Sequence, residues 1–266
     1  MPGGAIGLTL TGAAVVTAIL APALTTIDPF ALSGPVLGAP SAQHLMGTDA
    51  LGRDLFSGVV HGTRTSLLVA TAVTLLTFVC GTGVGLVAGY RGGLLDDLLM
   101  RATELFQVLP RFFLVIVAIA LFGPGIDRIV VILGLTSWPV LARVVRGEII
   151  AMRDLAFVRA AEAAGASRMR IVGRELLPNV MPSVVVLLCL LFAQVLLVEA
   201  SLGFLGLGDP NVLSWGLLAG QAQGFLRVAW WLAFFPGLAI MMTVLGVNLL
   251  ADALSMPGTR GGARET

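Results

Sequence analysis

The chain has 266 residues, of which 57% are hydrophobic and 12% are charged, and its formal net charge is +1. A soluble domain carries about 25% charged residues, roughly twice this fraction. With a mean hydropathy of +0.98, the chain cannot cover itself with a polar surface. The composition therefore excludes an ordinary soluble protein and indicates one whose outer face is solvated by lipid.

Lysine is absent, and all 16 basic residues are arginine. A P-loop needs a lysine for its phosphates, and a Schiff-base enzyme needs a lysine amine. We therefore expect neither activity in this chain. His44 and His61 are too few for a histidine-rich metal site. Cys80 and Cys189 lie in apolar runs, where single thiols behave as small hydrophobic side chains, so no disulfide or metal site is predicted.

Six apolar segments are long enough to cross a bilayer as helices, which need about 20 mostly apolar residues each. The first has no positive residues before it and is long for a signal peptide, so it is predicted to be retained. The third is interrupted by Pro110. The predicted spans are 6–27, 66–90, 99–122, 126–145, 182–205 and 229–250. The sequence thus predicts one all-α membrane domain over residues 1–266.

The distribution of arginine predicts the orientation, because loops facing the cytoplasm are enriched in positive residues. With six spans, both termini lie on one side. That side holds eleven arginines: Arg91, Arg101, Arg143, Arg146, Arg153, Arg159, Arg168, Arg170, Arg174, Arg260 and Arg264. The other side holds four: Arg53, Arg64, Arg128 and Arg227. Arg111 lies within a span and was left out of the comparison. Both termini and the 146–179 segment are therefore expected in the cytoplasm, and the 28–64 segment outside.

Three glycines in the second span, Gly81, Gly85 and Gly89, recur at a spacing of four residues. Small residues at this spacing let two helix backbones approach closely. The partner is either another helix of this chain or a helix of a second subunit, and the spacing alone does not distinguish these interpretations.

Polar residues inside the spans are candidates for a substrate path, because such groups are costly in lipid unless paired or hydrated. Glu199 in the fifth span is the strongest candidate, and the alternatives are a structural pair or a position near the outer interface. Gln194 and Glu104 are weaker candidates of the same kind. Asn248 is expected to form a hydrogen bond between helices.

The segment 159–178 carries the most specific pattern. Ala160 and Ala161 belong to an alanine-rich stretch that favours helix, and Gly165 is predicted to end that helix. Ser167 is suited to cap a second short helix, which Pro178 is expected to limit. A basic helix on the membrane surface is the alternative, but its apolar face is thin. Two short helices with small side chains suit insertion into a groove of another protein.

Gly165, with Leu177 and Pro178 thirteen residues later, resembles the cytoplasmic loop of bacterial ABC-importer permeases, which docks on an ATPase subunit. Members of that family often have Glu-Ala-Ala six residues before the glycine, where this chain has Arg159-Ala160-Ala161. Glu162 is not the equivalent glutamate, so a salt bridge made by the family's glutamate is not implied here. The coupling residues implied by the resemblance are Arg159, Ala160, Ala161, Gly165, Ala166, Ser167, Arg170 and Pro178.

Three further stretches resemble the second permease of dipeptide, oligopeptide or nickel systems. They are 47–54 continuing to 62–67, 199–208 with 214–216, and 229–237 with 248–250. The resemblance extends from about Leu45 to Leu254. One departure is Asp209-Pro210-Asn211, where relatives often have two prolines.

The resemblance implies a type I ABC importer permease fold in the bacterial inner membrane. It also implies a homologous second permease, two ATPase subunits or one fused ATPase, and an external substrate-binding protein. ATP and magnesium would be bound by the ATPases, with no cofactor or nucleic acid in this chain. Dipeptides or oligopeptides are the expected cargo, and nickel or a haem-like compound is the alternative. A proton-coupled secondary transporter and an intramembrane enzyme are alternatives of other classes.

Overall fold

A computed structural model describes residues 2–108 and 110–255, and this part of the chain is helical without strands. Arg260 and Arg264 lie outside the described residues. We number the helices in chain order as α1 (Pro2–Leu24), α2 (Leu55–Arg91), α3 (Gly93–Val108), α4 (Arg111–Phe122), α5 (Ile126–Met152), α6 (Ala156–Ala163), α7 (Arg168–Phe204), α8 (Trp215–Gln221) and α9 (Trp231–Ser255).

The number of membrane spans agrees with the number predicted from the sequence, but the spans begin and end at different residues. Helices α1, α2, α5, α7 and α9 are each long and apolar enough to cross a bilayer. Helices α3 and α4 differ in direction by 71° and supply a sixth crossing when the pair is counted as one span. The interruption expected at Pro110 is therefore present as a sharp bend. The all-α, six-span prediction holds on this basis.

Helix α2 begins at Leu55, eleven residues before the predicted start at Ser66, so the expected external segment 28–64 overlaps its first turns. The carboxylate of Asp54 caps this helix by accepting a 2.8 Å hydrogen bond from the backbone N–H of Ser57. The same side chain contacts His44 Nδ1 at 2.9 Å through its other oxygen. The segment before α2 is thus fixed to the helix end by a buried polar pair.

The predicted limit of the second cytoplasmic helix at Pro178 is wrong, because α7 runs without a stop from Arg168 to Phe204. A π-helical stretch, Ile171–Leu176, precedes the proline, and the N–H of Leu177 donates to the carbonyl of Val172 five residues back. This wider turn changes the hydrogen-bond register where the proline lacks a donor. The side-chain amide of Asn179 donates to the Glu175 carbonyl at 2.6 Å and supplies one further bond.

The residues between the second and third predicted spans are also mostly helical, since only Gly92 separates α2 from α3. Likewise, the segment 146–179 is mostly helical. It comprises the end of α5, all of α6 and the start of α7. Most of its charged residues therefore lie on helices, and those on α5 and α7 lie on continuations of membrane spans.

The most extensive contact between two helices is that of α2 with α5, and the three glycines Gly81, Gly85 and Gly89 lie in it. A Cβ placed on Gly85 would lie 2.6 Å from the Cβ of Val145, and one on Gly81 would lie 2.8 Å from that of Leu141. The glycines therefore face a helix of the same chain. Of the two interpretations, the structure supports packing within the subunit. We call this contact of Gly81, Gly85 and Gly89 with α5 the glycine seam.

We predict that Gly85→Ala lowers the stability of the protein, because the new methyl group has no space against α5. An overpacked contact of this kind costs about 1–3 kcal/mol. Gly83→Ala is the matched control on the same helix, since a Cβ at Gly83 meets nothing within 4 Å. Thermal unfolding of both variants in detergent measures the difference. Equal stability of the two variants would show that the seam does not require glycine.

Candidate functional site

The helix–turn–helix between α5 and the membrane part of α7 is built on a buried apolar cluster. In it, Val158 of α6 packs with Ile149 of α5 and with Ile171, Leu176 and Val180 of α7, and all five are at most 1% exposed. Most other residues of α6 are exposed, including Arg159 and Ala160. The cluster thus fixes α6 to the rest of the protein and leaves its outer face free.

The turn after α6 has the hydrogen bonds of a Schellman motif. The N–H of Ala166 donates to the Ala161 carbonyl at 3.0 Å, and the N–H of Gly165 donates to that of Glu162 at 2.9 Å. Gly165 has φ of +77°, a left-handed conformation that disfavours any side chain. The predicted helix stop at this glycine is therefore present.

Ser167 begins the next helix, as predicted, and its hydroxyl accepts a 3.4 Å hydrogen bond from the N–H of Arg170. Ser167, Arg168, Met169 and Arg170 are all exposed, with Met169 at 85%. Ala161 and Ala166 are partly buried at the turn. The two predicted helices are thus joined by a compact turn whose outer surface carries small and basic side chains.

Two polar contacts hold the end of α5, from which this turn extends. Arg146 donates from Nε and Nη2 to the two carboxylate oxygens of Asp96 in α3, at 2.5 and 2.6 Å. Arg153 donates from Nη1 to the carbonyl of Gly89 in α2 at 3.0 Å. Because Asp96 is buried, the bidentate pair links α3 to α5 at a defined position.

We expect Asp96→Ala to destabilise the protein, since Arg146 would keep its charge and lose its partner. Arg146 is partly exposed and water can solvate it in part, so we expect a loss of about 1 kcal/mol, the low end of the roughly 1–3 kcal/mol that an unpaired buried polar group costs. The adjacent Asp97 is exposed and forms no salt bridge within the described chain, so Asp97→Ala is the control, with an expected change of about 0.5 kcal/mol or less. Chemical or thermal unfolding in detergent compares the two. A loss in Asp97→Ala as large as that in Asp96→Ala would contradict this role for the pair.

Glu199 does not lie on an open path. It is 5% exposed, and its Oε2 accepts a 3.1 Å hydrogen bond from the Ser66 hydroxyl of α2. The same hydroxyl accepts from the N–H of Trp215 at 3.2 Å, and Trp215 Nε1 donates to the Val59 carbonyl at 3.0 Å. The geometry therefore places Glu199 in a network that joins α2, α7 and the start of α8. Of the interpretations given for Glu199, the network favours a structural pair within the protein.

Glu104 and Gln194, the other two path candidates, are separated in the structure. Glu104 is exposed on α3 and does not line the cleft that contains Gln194. Gln194 is exposed on α7 and lines a cleft of about 440 Å³ with Arg111 of α4 and Asn248 of α9. The hydrogen bond expected between Asn248 and another helix is not formed within the described residues. The remaining walls are apolar: Val140, Leu187, Leu190, Leu191, Ala193, Leu197 and Val244.

Arg111 is the polar residue of this cleft that sequence reasoning missed. It was set aside because it falls inside a span, although a charge in a span is itself a signal of function. Its Nη1 donates to the Ser137 hydroxyl at 3.4 Å, a long hydrogen bond, and it forms no salt bridge in the described parts of the chain.

The structure and sequence were compared with known proteins. A chain of the MetNI methionine ABC transporter in an inward-facing conformation superimposes with a TM-score of 0.60, covering 76% of this chain and 98% of that one at 20% identity. The shared fold is therefore the type I fold of ABC importer permeases. A family model described as binding-protein-dependent transport system inner membrane component matches residues 81–255.

Three relatives match over most of their own length. The dipeptide transport system permease protein DppC of Alkalihalophilus pseudofirmus is 35% identical and covers 94% of this chain and 83% of its own. The di/tripeptide permease DppC of Pseudomonas aeruginosa is 35% identical, and the match covers 90% of this chain and 82% of the relative. The glutathione permease GsiD of Pectobacterium atrosepticum is 38% identical, and the match covers 81% of this chain and 72% of the relative.

The class defined by this fold is a multi-span membrane subunit of an ABC importer. The chain belongs to the family of binding-protein-dependent transport system inner membrane components. This family assignment leaves the secondary-transporter and intramembrane-enzyme alternatives without support.

Proposed function

We propose that this chain is one of two membrane-spanning subunits of an ATP-driven peptide importer, where it forms half of the translocation path. The observation that carries this proposal is the match to permeases named for dipeptides, tripeptides and glutathione, over 81–94% of the chain. All three names refer to short peptides. None of them mentions nickel or haem, so peptides are the preferred cargo.

The helix–turn–helix centred on Gly165 is the proposed contact with an ATPase subunit. Its exposed surface combines small residues, Ala160, Gly165 and Ser167, with larger ones that include Arg159, Met169 and Arg170. The small residues let the backbone of the turn enter a groove, and the larger side chains can contact its rim. ATP and magnesium would be bound by two ATPase subunits or a fused pair, since this chain has no lysine for a P-loop. A homologous second permease and an external binding protein complete the proposed complex.

In the proposed mechanism, closure of the ATPases moves the docked turn, and the spans rock between inward-open and outward-open arrangements. The turn and both termini would face the cytoplasm, as the arginine distribution suggests. The segment that precedes α2 and the region around α8 would face the binding protein. No residue of this chain carries out covalent chemistry in this mechanism.

We predict that Gly165→Leu weakens coupling and leaves the membrane fold in place. A Cβ at this position meets no atom of the chain within 4 Å, so the substitution strains only the left-handed turn and enlarges the docking surface. Uptake of a labelled dipeptide by the reconstituted complex, and co-purification of the ATPase, should both fall about 10-fold, equivalent to about 1.4 kcal/mol in an overpacked contact.

Two comparison variants sharpen this experiment. Gly165→Asn should retain part of the uptake, because asparagine tolerates the left-handed conformation. Glu162→Ala should transport like the wild type, because Glu162 is exposed and is not the equivalent of the family's glutamate. Normal transport by Gly165→Leu with the ATPase bound would exclude this turn as the coupling element. Absence of ATP-dependent dipeptide uptake by the wild-type complex would refute the proposed function itself.

Orientation is tested by cysteine labelling in a Cys80→Ala, Cys189→Ala background. Ser41→Cys and Asn211→Cys, both at exposed positions, should react with a membrane-impermeant thiol reagent added to intact cells. Ser167→Cys should react only after the membrane is opened. Ser214 is unsuitable because it is buried and caps α8 through the N–H of Leu217. Labelling of Ser167→Cys in intact cells would show that the orientation is the reverse of the one proposed.

A further inference from the structure

The cleft around Arg111 differs from the other large grooves of the molecule in its polarity. The grooves between α1 and α7 and beside α4 are larger, at about 840 and 750 Å³, but their walls are mostly aliphatic. The cleft of about 440 Å³ brings together three polar side chains, Arg111, Gln194 and Asn248, from three different helices. Its volume lies within the range of roughly 300–1,000 Å³ that small-molecule sites occupy.

Arg111 is positioned to interact with an anion. It is the first residue of α4, near the middle of the bent crossing formed by α3 and α4. A charge at this depth is costly unless it meets a partner or a hydrated cavity. Within the described chain its only side-chain hydrogen bond is the long one to Ser137, and no carboxylate pairs with it. Most of its five N–H donors are therefore available to a molecule in the cleft.

Gln194 and Asn248 are likewise available, because neither side chain is hydrogen-bonded to another described residue and both line the cleft. Their amides can each donate to an oxygen or accept from an N–H. A guanidinium and two amides that line one cleft can match the groups of a carboxylate followed by a peptide unit. The guanidinium binds the carboxylate through two parallel hydrogen bonds, and the amides bind the peptide N–H and C=O.

We propose that Arg111, with Gln194 and Asn248, binds the C-terminal carboxylate of the peptide as it crosses the membrane. This inference rests on the proposed function, because it names the group of the peptide cargo that the path recognises. The carboxylate is common to all linear peptides whatever their side chains, so one arginine can serve cargoes of different sequence. A single, partly exposed arginine also makes a weak site, as a transported ligand must leave as readily as it enters.

The test uses the complete transporter in proteoliposomes, with its binding protein loaded either with alanyl-alanine or with the C-terminal amide of the same dipeptide. Uptake is divided by the measured occupancy of the binding protein, so that selectivity outside the membrane is removed. In the wild type we expect the free acid to be transported faster than the amide. Arg111→Gln should lower uptake of the acid about 10-fold, the effect of losing one hydrogen bond to a charged group, and leave the amide unchanged.

Arg111→Lys should recover part of the preference for the acid, because it keeps the charge without the bidentate geometry. Arg101→Gln is the control, since Arg101 is exposed on α3 and does not line the cleft. Equal losses for acid and amide in Arg111→Gln would assign the arginine a purely structural role and overturn the proposal. An unchanged ratio of acid to amide uptake would do the same. If the wild type transports neither probe, it is the proposed function that fails.

Discussion

The close contact of α2 with α5 determines the positions of most other elements. Lipid is as apolar as leucine, so burying leucine between two membrane helices gains little, and close packing of small residues must hold them. Gly81, Gly85 and Gly89 provide this packing along the C-terminal half of α2. The elements at both ends of the molecule are therefore positioned relative to the α2–α5 helix pair. The N-terminal half of α2 carries Ser66 for the network around Glu199, and α5 leads through α6 to the turn at Gly165.

The polar contacts at the end of this seam extend it to the neighbouring helices. Arg146 reaches Asp96 of α3, and Arg153 reaches the carbonyl of Gly89 in α2. A side chain on Gly89 would meet the Cβ of Ile149 at 2.8 Å, so the carbonyl is within reach only because the backbones are close. The contact of Arg153 thus depends on the glycine seam, and the pair of Arg146 with Asp96 attaches α3 to the end of α5 from which the turn at Gly165 extends.

The sequence predicted those features that depend on local composition. Apolar length alone identified the six crossings, and the Gly165 stop and the Ser167 cap follow from backbone preferences that act within a few residues. The start of α2 was misplaced because its first turns contain His61 and Arg64, which lower the local hydropathy. The signal that could have placed it is Asp54, a good cap residue three positions before Ser57.

The role of the polar residues could not be predicted in the same way, because it depends on which distant residue lies opposite. Glu199 is paired through Ser66, which is 133 positions away in the chain. Conversely, Arg111, Gln194 and Asn248 come from three separate helices, and their sequence gives no sign that they share one cleft. Hydropathy identified a costly group in the membrane, but only the packing decides whether a neighbour or a substrate satisfies it.

The continuity of α7 relates the two parts of the proposed mechanism. The helix begins at the exposed coupling turn and runs for 37 residues, so Arg168 and Gln194 belong to one element. A rise of about 1.5 Å per residue separates them by roughly 39 Å. Helices α3 and α5 are linked at Asp96 and Arg146, whereas Arg111 lies beyond the bend on α4. If an ATPase moves the turn at Gly165, α7 can carry that displacement to the Gln194 side of the cleft while Arg111 stays with α4. The distance between the guanidinium and the Gln194 amide would then change with each cycle, and a carboxylate held by both would be bound in one state and released in the other.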